Sequence, residues 1–314
     1  MIFYSYILLN FLITYFLINL SIPFLNKYLV DAPELRSSHS LPTPTGAGIV
    51  FALTTVITSF LINWKIPIIC LPLSVIGFFD DKFNISRFIR YGIQIFTASL
   101  ILKFSYETNN FLYFFKDIYF LNFILIILLT IFITSIINFT NFMDGIDGLI
   151  GSTFFIAFLF LSITYDRSLI FLTSGILAFL IFNWHPAKVF MGDAGSTFLG
   201  AVYAGVILED GDIYFMLNKL LILSPILMDS FFTLIRRMIN KQSIFKPHKL
   251  HLYQRLQQVG KSPAKVSLIY SIAVLILCLV SLFENIYLMF LAVFLVFYVG
   301  LYLSSIAEPF KKDY

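Results

Sequence analysis

Charged side chains are scarce in this sequence of 314 residues. They make up 12% of it, against roughly 25% in soluble domains. Hydrophobic residues reach 59%, and the mean hydropathy is +0.91. A water-soluble core cannot bury that much apolar surface, whereas a bilayer satisfies each run of about 20 apolar residues. The composition therefore argues against a soluble protein and predicts a membrane protein.

Cysteine is almost absent. Cys70 and Cys278 lie inside apolar runs without a spacing partner, which argues against a disulfide framework and a cysteine metal site. The first apolar run has no basic residue before it and no small-residue cleavage site. We therefore expect it to be a retained helix rather than a signal peptide.

Long apolar runs without two-residue alternation exclude a membrane barrel and predict an all-α bundle. We expect about 10–11 transmembrane helices in one integral-membrane domain that covers residues 1–314. The third, seventh and eighth runs are short for a full crossing, so kinks or partial burial are expected there. The eleven runs are 2–24, 46–63, 66–79, 88–105, 118–137, 149–165, 168–182, 195–208, 217–236, 265–282 and 285–305.

Basic residues are unevenly distributed between the two sides of this predicted bundle. Sixteen of the 21 lysines and arginines fall in one set of alternate loops and in the C-terminal tail. The positive-inside rule places that set in the cytoplasm, with the N-terminus out and the C-terminus in. The predicted working site is cytoplasmic, because the same loops hold all four histidines: His39, His185, His248 and His251.

Three acidic motifs stand on that side. Asp80 and Asp81 end the third run, where adjacent carboxylates repel each other and are costly near hydrocarbon; a divalent cation or a cationic side chain would relieve both costs. A hydrated helix end is the alternative.

After the fifth run, four polar residues recur every three positions, which favours a ligand site over simple helix capping. These four are Asn138, Asn141, Asp144 and Asp147.

The third motif lies between the seventh and eighth runs. Gly192 and Gly195 flank Asp193 just before a helix, where backbone amides favour phosphate. The Asp193 carboxylate suits Mg²⁺ or Mn²⁺. Many turns contain such a motif, but together with the other two acidic motifs it predicts a ligand site.

The longest cytoplasmic loop, 237–264, is predicted to contain a short amphipathic helix that carries a histidine motif. On a helix, His248, His251 and Arg255 share a face, a cationic or hydrogen-bonding surface suited to a pyrophosphate. A basic helix resting on anionic lipid is the alternative. Asp229, inside the ninth run, is expected to pair with an arginine or to face the site.

In order and spacing, these motifs resemble the polyprenyl-phosphate N-acetylhexosamine-1-phosphate transferases, a glycosyltransferase family 4-like superfamily. It includes the enzyme that makes the first lipid intermediate of peptidoglycan and the enzymes that start O-antigen synthesis. The match runs from Arg36 to Leu256. It rests on Asp80-Asp81, on Asn141-x-x-Asp144-Gly-x-Asp147-Gly and on Phe190-Met191-Gly192-Asp193-x-Gly195-Ser196.

The resemblance implies Mg²⁺-dependent attack of a lipid phosphate on the β-phosphorus of a UDP-sugar, with release of UMP. Asp193 and Asp81 are the implied metal ligands, and Mn²⁺ is an alternative metal. The implied catalytic residues are Asp80, Asp81, Asp193, His248 and His251. The implied substrate-binding residues are Asn138, Asn141, Asp144, Asp147, Asn183, Phe190, His39 and Arg255.

The implied partners are a UDP-N-acetylhexosamine, undecaprenyl phosphate and membrane lipid, with a homodimer as the expected assembly and no nucleic acid. The implied location is the bacterial inner membrane. His248 and His251 are separated, unlike the adjacent histidines of the peptidoglycan enzyme. This spacing favours the O-antigen-initiating branch, with N-acetylglucosamine or an N-acetylated 6-deoxyhexosamine such as N-acetylfucosamine or N-acetylquinovosamine. A transporter or flippase is disfavoured because the sequence contains no internal repeat. An inactive scaffold is disfavoured because Asp80, Asp81 and Asp193 are all present.

Overall fold

Helices make up 79% of the structure. The computed structural model describes residues 2–33, 41–108, 118–243, 246 and 248–310. The described residues form thirteen helices, α1 to α13, and two short strands, β1 and β2. The prediction of an all-α membrane fold is confirmed.

The elements follow one another along the chain with short connections. Strands β1 (Val30–Asp31) and β2 (Thr43–Pro44) pair antiparallel, with Val30 opposite Pro44. The helices are α1 (Ile2–Tyr28), α2 (Gly48–Ile62), α3 (Lys65–Phe83), α4 (Arg87–Thr108), α5 (Tyr119–Met143), α6 (Leu149–Thr164), α7 (Leu169–Asn183), α8 (Gly192–Leu208), α9 (Ile213–Ile222), α10 (Ser224–Ile239), α11 (Leu252–Gln258), α12 (Pro263–Ser281) and α13 (Ile286–Ile306).

Each predicted run corresponds to a helix, but the ninth run, 217–236, is broken. Its residues lie on α9 and α10, which are bent by 75° relative to each other. Pro225 stands in the first turn of α10, where the N–H that proline lacks has no helical partner in any case. The proline therefore fixes the start of a new helix instead of continuing the old one.

The lengths of the helices limit how many cross a membrane. By length and composition, α1, α5, α12 and α13 qualify, and the bent pair α9–α10 makes a fifth. Helices α2, α6, α7 and α8 contain only 15, 16, 15 and 17 residues. These correspond to roughly 23–26 Å at about 1.5 Å per residue, less than the hydrocarbon core of about 30 Å. Among the described helices, the expected 10–11 full crossings are therefore not reached by this criterion.

Helix α8 lies at the centre of the bundle. Every residue from Ala194 to Leu208 is buried, against α3 on one side and α5 on another. Its sequence is rich in glycine and alanine, and small residues allow membrane helices to approach closely. The packing therefore fixes the position of Asp193, in the first turn of this helix.

The segment that precedes α8 runs beside β2 and the start of α2. Phe190 N donates to Pro44 O at 2.8 Å, and Ala47 N donates to Phe190 O at 3.1 Å. Helix α3 also approaches α8 closely, since a Cβ added to Gly77 would lie 2.5 Å from the carbonyl carbon of Asp193. These contacts bring the acidic end of α3 to the acidic start of α8.

Candidate functional site

Two of the acidic motifs meet at this junction. Asp80 and Asp81 lie in the last turn of α3, and Asp193 lies in the first turn of α8. Asp193 N donates to Asp81 Oδ1 at 3.1 Å. The other carboxylate oxygen of Asp81 is buried and accepts no hydrogen bond from the described residues. The sequence motifs, 112 positions apart, thus form one carboxylate cluster.

A cationic side chain stabilises this cluster. Arg90 Nη1, on α4, lies 2.6 Å from Asp80 Oδ2 and 3.2 Å from Asp193 Oδ2. Asn141 completes the surroundings of Asp193, because its Nδ2 donates to Asp193 Oδ1 at 2.7 Å and to Ser196 Oγ at 3.0 Å. Arg90 therefore relieves the repulsion between Asp80 and Asp193, and it is a cationic side chain of the kind that the sequence analysis offered as one explanation for the adjacent aspartates.

Sequence reasoning missed Arg90 as a site residue and counted it only among the loop charges. The available signal was spacing. Arg87, Arg90 and Gln94 are separated by three and four positions, so they share one face of α4, and all three line the same cavity. Gln94 exchanges two hydrogen bonds with Asn138, at 3.1 and 2.9 Å, which places the polar face of α4 against α5.

The four regularly spaced polar residues do not act as one helical face, because α5 ends at Met143. Asn138 and Asn141 lie on the helix, and Asp144 and Asp147 lie in the loop that follows it. Asp144 is half-buried by surface area, and desolvation together with nearby Asp193 raises its pKa to about 8. This carboxyl group is therefore protonated more readily than that of an ordinary aspartate.

Asp147 and Asn183 organise the loops beside the cluster. Asp147 Oδ2 lies 2.6 Å from His185 Nδ1 and accepts a hydrogen bond from Ala187 N at 3.1 Å. Asn183 Oδ1 accepts from Gly148 N at 3.1 Å, while its Nδ2 donates to Val189 O at 3.0 Å. Asn183 thus joins the two loops through its amide. His185 is exposed by 36% and lines the same cavity, a second site residue beyond the predicted set.

One cavity of about 1460 Å³ collects these groups. Of the thirteen predicted site residues, all but His39 and Arg255 line it. His39 lies outside the described residues. The eleven that line it are Asp80, Asp81, Asn138, Asn141, Asp144, Asp147, Asn183, Phe190, Asp193, His248 and His251.

The histidine motif reaches the cavity from a loop, not from a helix. His251 is the N-cap of α11, so both histidines precede the helix that was predicted to carry them. Their ring centroids lie 5.0 Å apart. Desolvation, with smaller effects of His251 and Arg237, lowers the pKa of His248 to about 3. His248 is therefore neutral at physiological pH and supplies hydrogen bonds, not the positive charge that the sequence allowed.

Arg255 points away from the cavity, which corrects the expectation that it shares a helical face with the histidines. Its Nε donates to Glu308 O at 2.5 Å, Nη1 donates to Ser304 Oγ at 2.9 Å and Nη2 donates to Ser304 O at 2.9 Å. An arginine commonly satisfies the last carbonyls of a helix in this way. The guanidinium of Arg255 joins α11 to the end of α13.

The described carboxylates do not by themselves complete a metal site. No group of three or more histidine, cysteine, aspartate or glutamate side chains in the described part of the chain is arranged to hold a metal ion. Mg²⁺ is usually held by one or two carboxylates together with substrate phosphates and water. The Asp81 oxygen without a hydrogen bond and the carboxylate of Asp193 could supply the protein ligands of such a Mg²⁺ site. The substrate phosphate and water would supply the remaining ligands.

Comparison with known proteins gives a family match for part of the chain. Residues 63–210, from the residue after α2 to just beyond α8, match the model of glycosyl transferase family 4. This segment contains all three acidic motifs.

Three similar proteins are sugar-phosphate transferases by name. The probable undecaprenyl-phosphate N-acetylglucosaminyl 1-phosphate transferase of Bacillus subtilis is 34% identical over 154 residues, 44% of this chain and 42% of that protein. The phospho-N-acetylmuramoyl-pentapeptide-transferase of Thermotoga maritima is 29% identical over 299 residues, 87% of this chain and 96% of that protein. The decaprenyl-phosphate N-acetylglucosaminephosphotransferase of Mycobacterium tuberculosis is 34% identical over 113 residues, 31% and 28% of the two chains.

Proposed function

We propose that this chain, which is similar to polyprenyl-phosphate sugar-1-phosphate transferases, transfers a HexNAc-1-phosphate from a UDP-sugar to undecaprenyl phosphate. The observation that carries this proposal is the gathering of three acidic motifs around one cavity at the ends of apolar helices. Both reactants are anionic, and preorganised cations and hydrogen-bond donors stabilise the charge that develops when phosphates meet.

The location of the site follows from the substrates. One reactant is a lipid and the other is a water-soluble nucleotide, so a site at the membrane edge is where both can reach it. The distribution of basic residues supports a multi-pass protein of the bacterial inner membrane with a cytoplasmic site, an outer N-terminus and an inner C-terminus. A homodimer is the assembly we propose.

In the proposed reaction, an oxygen of the lipid phosphate attacks the β-phosphorus of the UDP-sugar. The bond from that phosphorus to the bridging oxygen breaks, and UMP leaves with the electron pair. Asp193 and Asp81 would hold Mg²⁺, or Mn²⁺ in its place, which screens the negative charges of both reactants. Asp80, fixed by Arg90 at 2.6 Å, would act as the base that takes the proton of the attacking lipid phosphate. Alternatively, Asp80 would act as a covalent nucleophile that first takes the HexNAc-1-phosphate from the donor as UMP leaves, and the lipid phosphate would then displace Asp80 from that phosphorus.

The donor occupies the other side of the cavity. Phe190 is half-buried, lines the cavity and would stack on the uracil. Asp147, which is hydrogen-bonded to His185 and Ala187, supplies a polar group for the nucleotide. Asp144 lines the same cavity and supplies a second polar group. His248 and His251 meet the diphosphate from the opposite loop. The UDP-sugar thus lies between the loops after α5 and α10.

The sugar is the least constrained part of the proposal. The separated histidines favour the O-antigen-initiating branch and therefore N-acetylglucosamine or an N-acetylated 6-deoxyhexosamine, such as N-acetylfucosamine or N-acetylquinovosamine. The product would start a lipid-linked polysaccharide of the cell envelope, including the O-antigen of lipopolysaccharide.

Detergent-purified protein tests this proposal with undecaprenyl phosphate, Mg²⁺ and a panel of UDP-N-acetylhexosamines. We expect UMP to appear only when lipid, divalent cation and one preferred donor are all present. Omitting each component in turn is the control, and Mn²⁺ replaces Mg²⁺ in a parallel series. Folded protein that releases no UMP from any donor would contradict the proposed reaction.

Arg255→Lys tests the position of Arg255 outside the cavity. Lysine cannot reproduce the three hydrogen bonds that the guanidinium of Arg255 donates to Ser304 of α13 and to Glu308 just beyond it. Each hydrogen bond to a charged group contributes about 1.5–3 kcal/mol to stability. We expect a lower thermal unfolding midpoint and an unchanged KM for the UDP-sugar. Arg236→Lys is the matched control, because Arg236 is exposed and contacts Ser304 at 3.4 Å. An increased KM with an unchanged midpoint would place Arg255 in substrate binding after all.

A further inference from the structure

Asp229 is a buried carboxylate that the reaction scheme above leaves without a role. Its side chain, on α10, is exposed by only 5%. Asp229 Oδ1 accepts hydrogen bonds from Leu252 N at 2.8 Å and from Thr233 Oγ1 at 3.3 Å. Asp229 Oδ2 accepts from Tyr270 Oη at 2.7 Å and from Tyr253 N at 3.3 Å. Of the two alternatives expected for Asp229, an arginine partner is not found among the described residues.

These contacts attach one helix to the start of another. The amides of Leu252 and Tyr253 are the first two of α11, and such amides have no partner within their own helix. A carboxylate satisfies them and is favoured by the helix dipole. Asp229 thus holds the loop that contains His251 against α10.

The same carboxylate faces His251. Its Oδ1 atom lies 3.7 Å from His251 Nδ1, and the imidazole is buried to the same degree as the carboxylate. Within the described residues, His251 Nδ1 has no hydrogen bond of normal distance and angle, and the Gln254 N–H at the third position of α11 faces the His251 side chain in a capping box. The ring is held in place by Tyr253, which stacks on it at 5.7 Å, and by His248 at 5.0 Å. One nitrogen of a confined imidazole therefore faces a fixed negative charge.

We propose that Asp229 is the positioning residue for His251: it keeps a proton on Nδ1 and directs the Nε2 edge of the ring to the cavity. A carboxylate beside one ring nitrogen sets both the tautomer and the orientation of a histidine. The 3.7 Å separation exceeds a hydrogen bond, but such contacts are often long before substrate binds and then shorten. This inference rests on the proposed function, which assigns His251 to the diphosphate of the donor.

Asp229→Asn tests this role, because asparagine keeps the size of the side chain and removes its charge. We expect kcat for UMP release to fall by about 10–100-fold, the usual effect of losing a partner that orients a ligand-binding histidine. The KM for the UDP-sugar should change by less than about threefold, since the cavity keeps its other groups. Tyr270→Phe is the matched control: it removes one hydrogen bond from the same carboxylate and leaves its charge, so kcat should stay close to that of the wild type.

A double-mutant cycle with His251→Ala separates positioning from simple capping of α11. If Asp229 acts through His251, Asp229→Asn should lower kcat no further in the His251→Ala background. Independent, multiplicative losses would overturn the inference and leave Asp229 as a structural cap. Asp229→Ser, which keeps a hydrogen-bond acceptor for the α11 amides and removes the charge, replaces Asp229→Asn in the cycle if the latter does not fold.

The outcomes for this inference and for the proposed function are distinct. Wild-type protein that releases UMP together with an Asp229→Asn variant of unchanged kcat would overturn the positioning role alone. Wild-type protein that releases no UMP would overturn the proposed function, and the positioning role with it.

Discussion

Asp193→Asn is expected to lower kcat for UMP release by at least about 10²–10³-fold, the range found when one charge-stabilising group is removed from an active site. Asp193 is the point where Arg90, Asn141 and Asp81 converge, through contacts of 3.2, 2.7 and 3.1 Å. Asparagine has nearly the same shape, but it lacks the charge that Mg²⁺ requires and presents an amide to Arg90 in one of its two orientations. Steady-state UMP release with the preferred donor measures the effect.

Asp212→Asn is the matched control for this change. Asp212 is also an acid at the start of a helix, where its Oδ1 accepts a hydrogen bond from Tyr214 N at 2.8 Å, but it does not line the cavity. We expect wild-type kcat for this variant. If folded Asp193→Asn protein retains more than a tenth of the activity, the carboxylate cluster is not the reaction centre.

Gly192→Ala is expected to have the second large effect, through geometry instead of charge. Gly192 has a φ of +67°, which side-chain-bearing residues rarely adopt. An added Cβ would lie 2.1 Å from Asp81 Oδ2 and 2.8 Å from Thr45 Oγ1. The strain costs about 1–3 kcal/mol, and a displacement of about 1 Å in a catalytic group can lower turnover by about 10²-fold. We therefore expect both a lower thermal midpoint and a kcat reduced by about that factor.

Gly92→Ala provides the comparison for Gly192→Ala. Gly92 lies within α4, and no heavy atom lies within 4 Å of a Cβ added there. Alanine favours a helix over glycine, so the midpoint of Gly92→Ala should be equal or higher and kcat unchanged. The measurements are the thermal unfolding midpoint and kcat for UMP release of both variants. If Gly192→Ala and Gly92→Ala give the same midpoint and the same kcat, the backbone at Gly192 is not restricted by Asp81.

The sequence by itself determined the helices and the motifs. In a bilayer, every backbone polar group must bond within its own segment, so an apolar run of sufficient length specifies a helix without reference to its neighbours. The predicted run 265–282 and the observed α12 (Pro263–Ser281) differ by at most two residues at each end. Polar groups in such surroundings are costly, so Asp80-Asp81 and Asp193 were recognisable from their context alone.

Tertiary structure alone decided which groups meet, since helical periodicity gives the face of a residue but not the element that packs against it. Arg90 was visible as a charge, but its contact with Asp80 and Asp193 depends on how α4 lies against α3 and α8. Arg255 was placed with the histidines because a helix was assumed, whereas α11 begins only at Leu252. Likewise, the two amides that Asp229 binds belong to α11, 23 and 24 positions further along the chain. Contacts between distant segments come from packing, which no local pattern encodes.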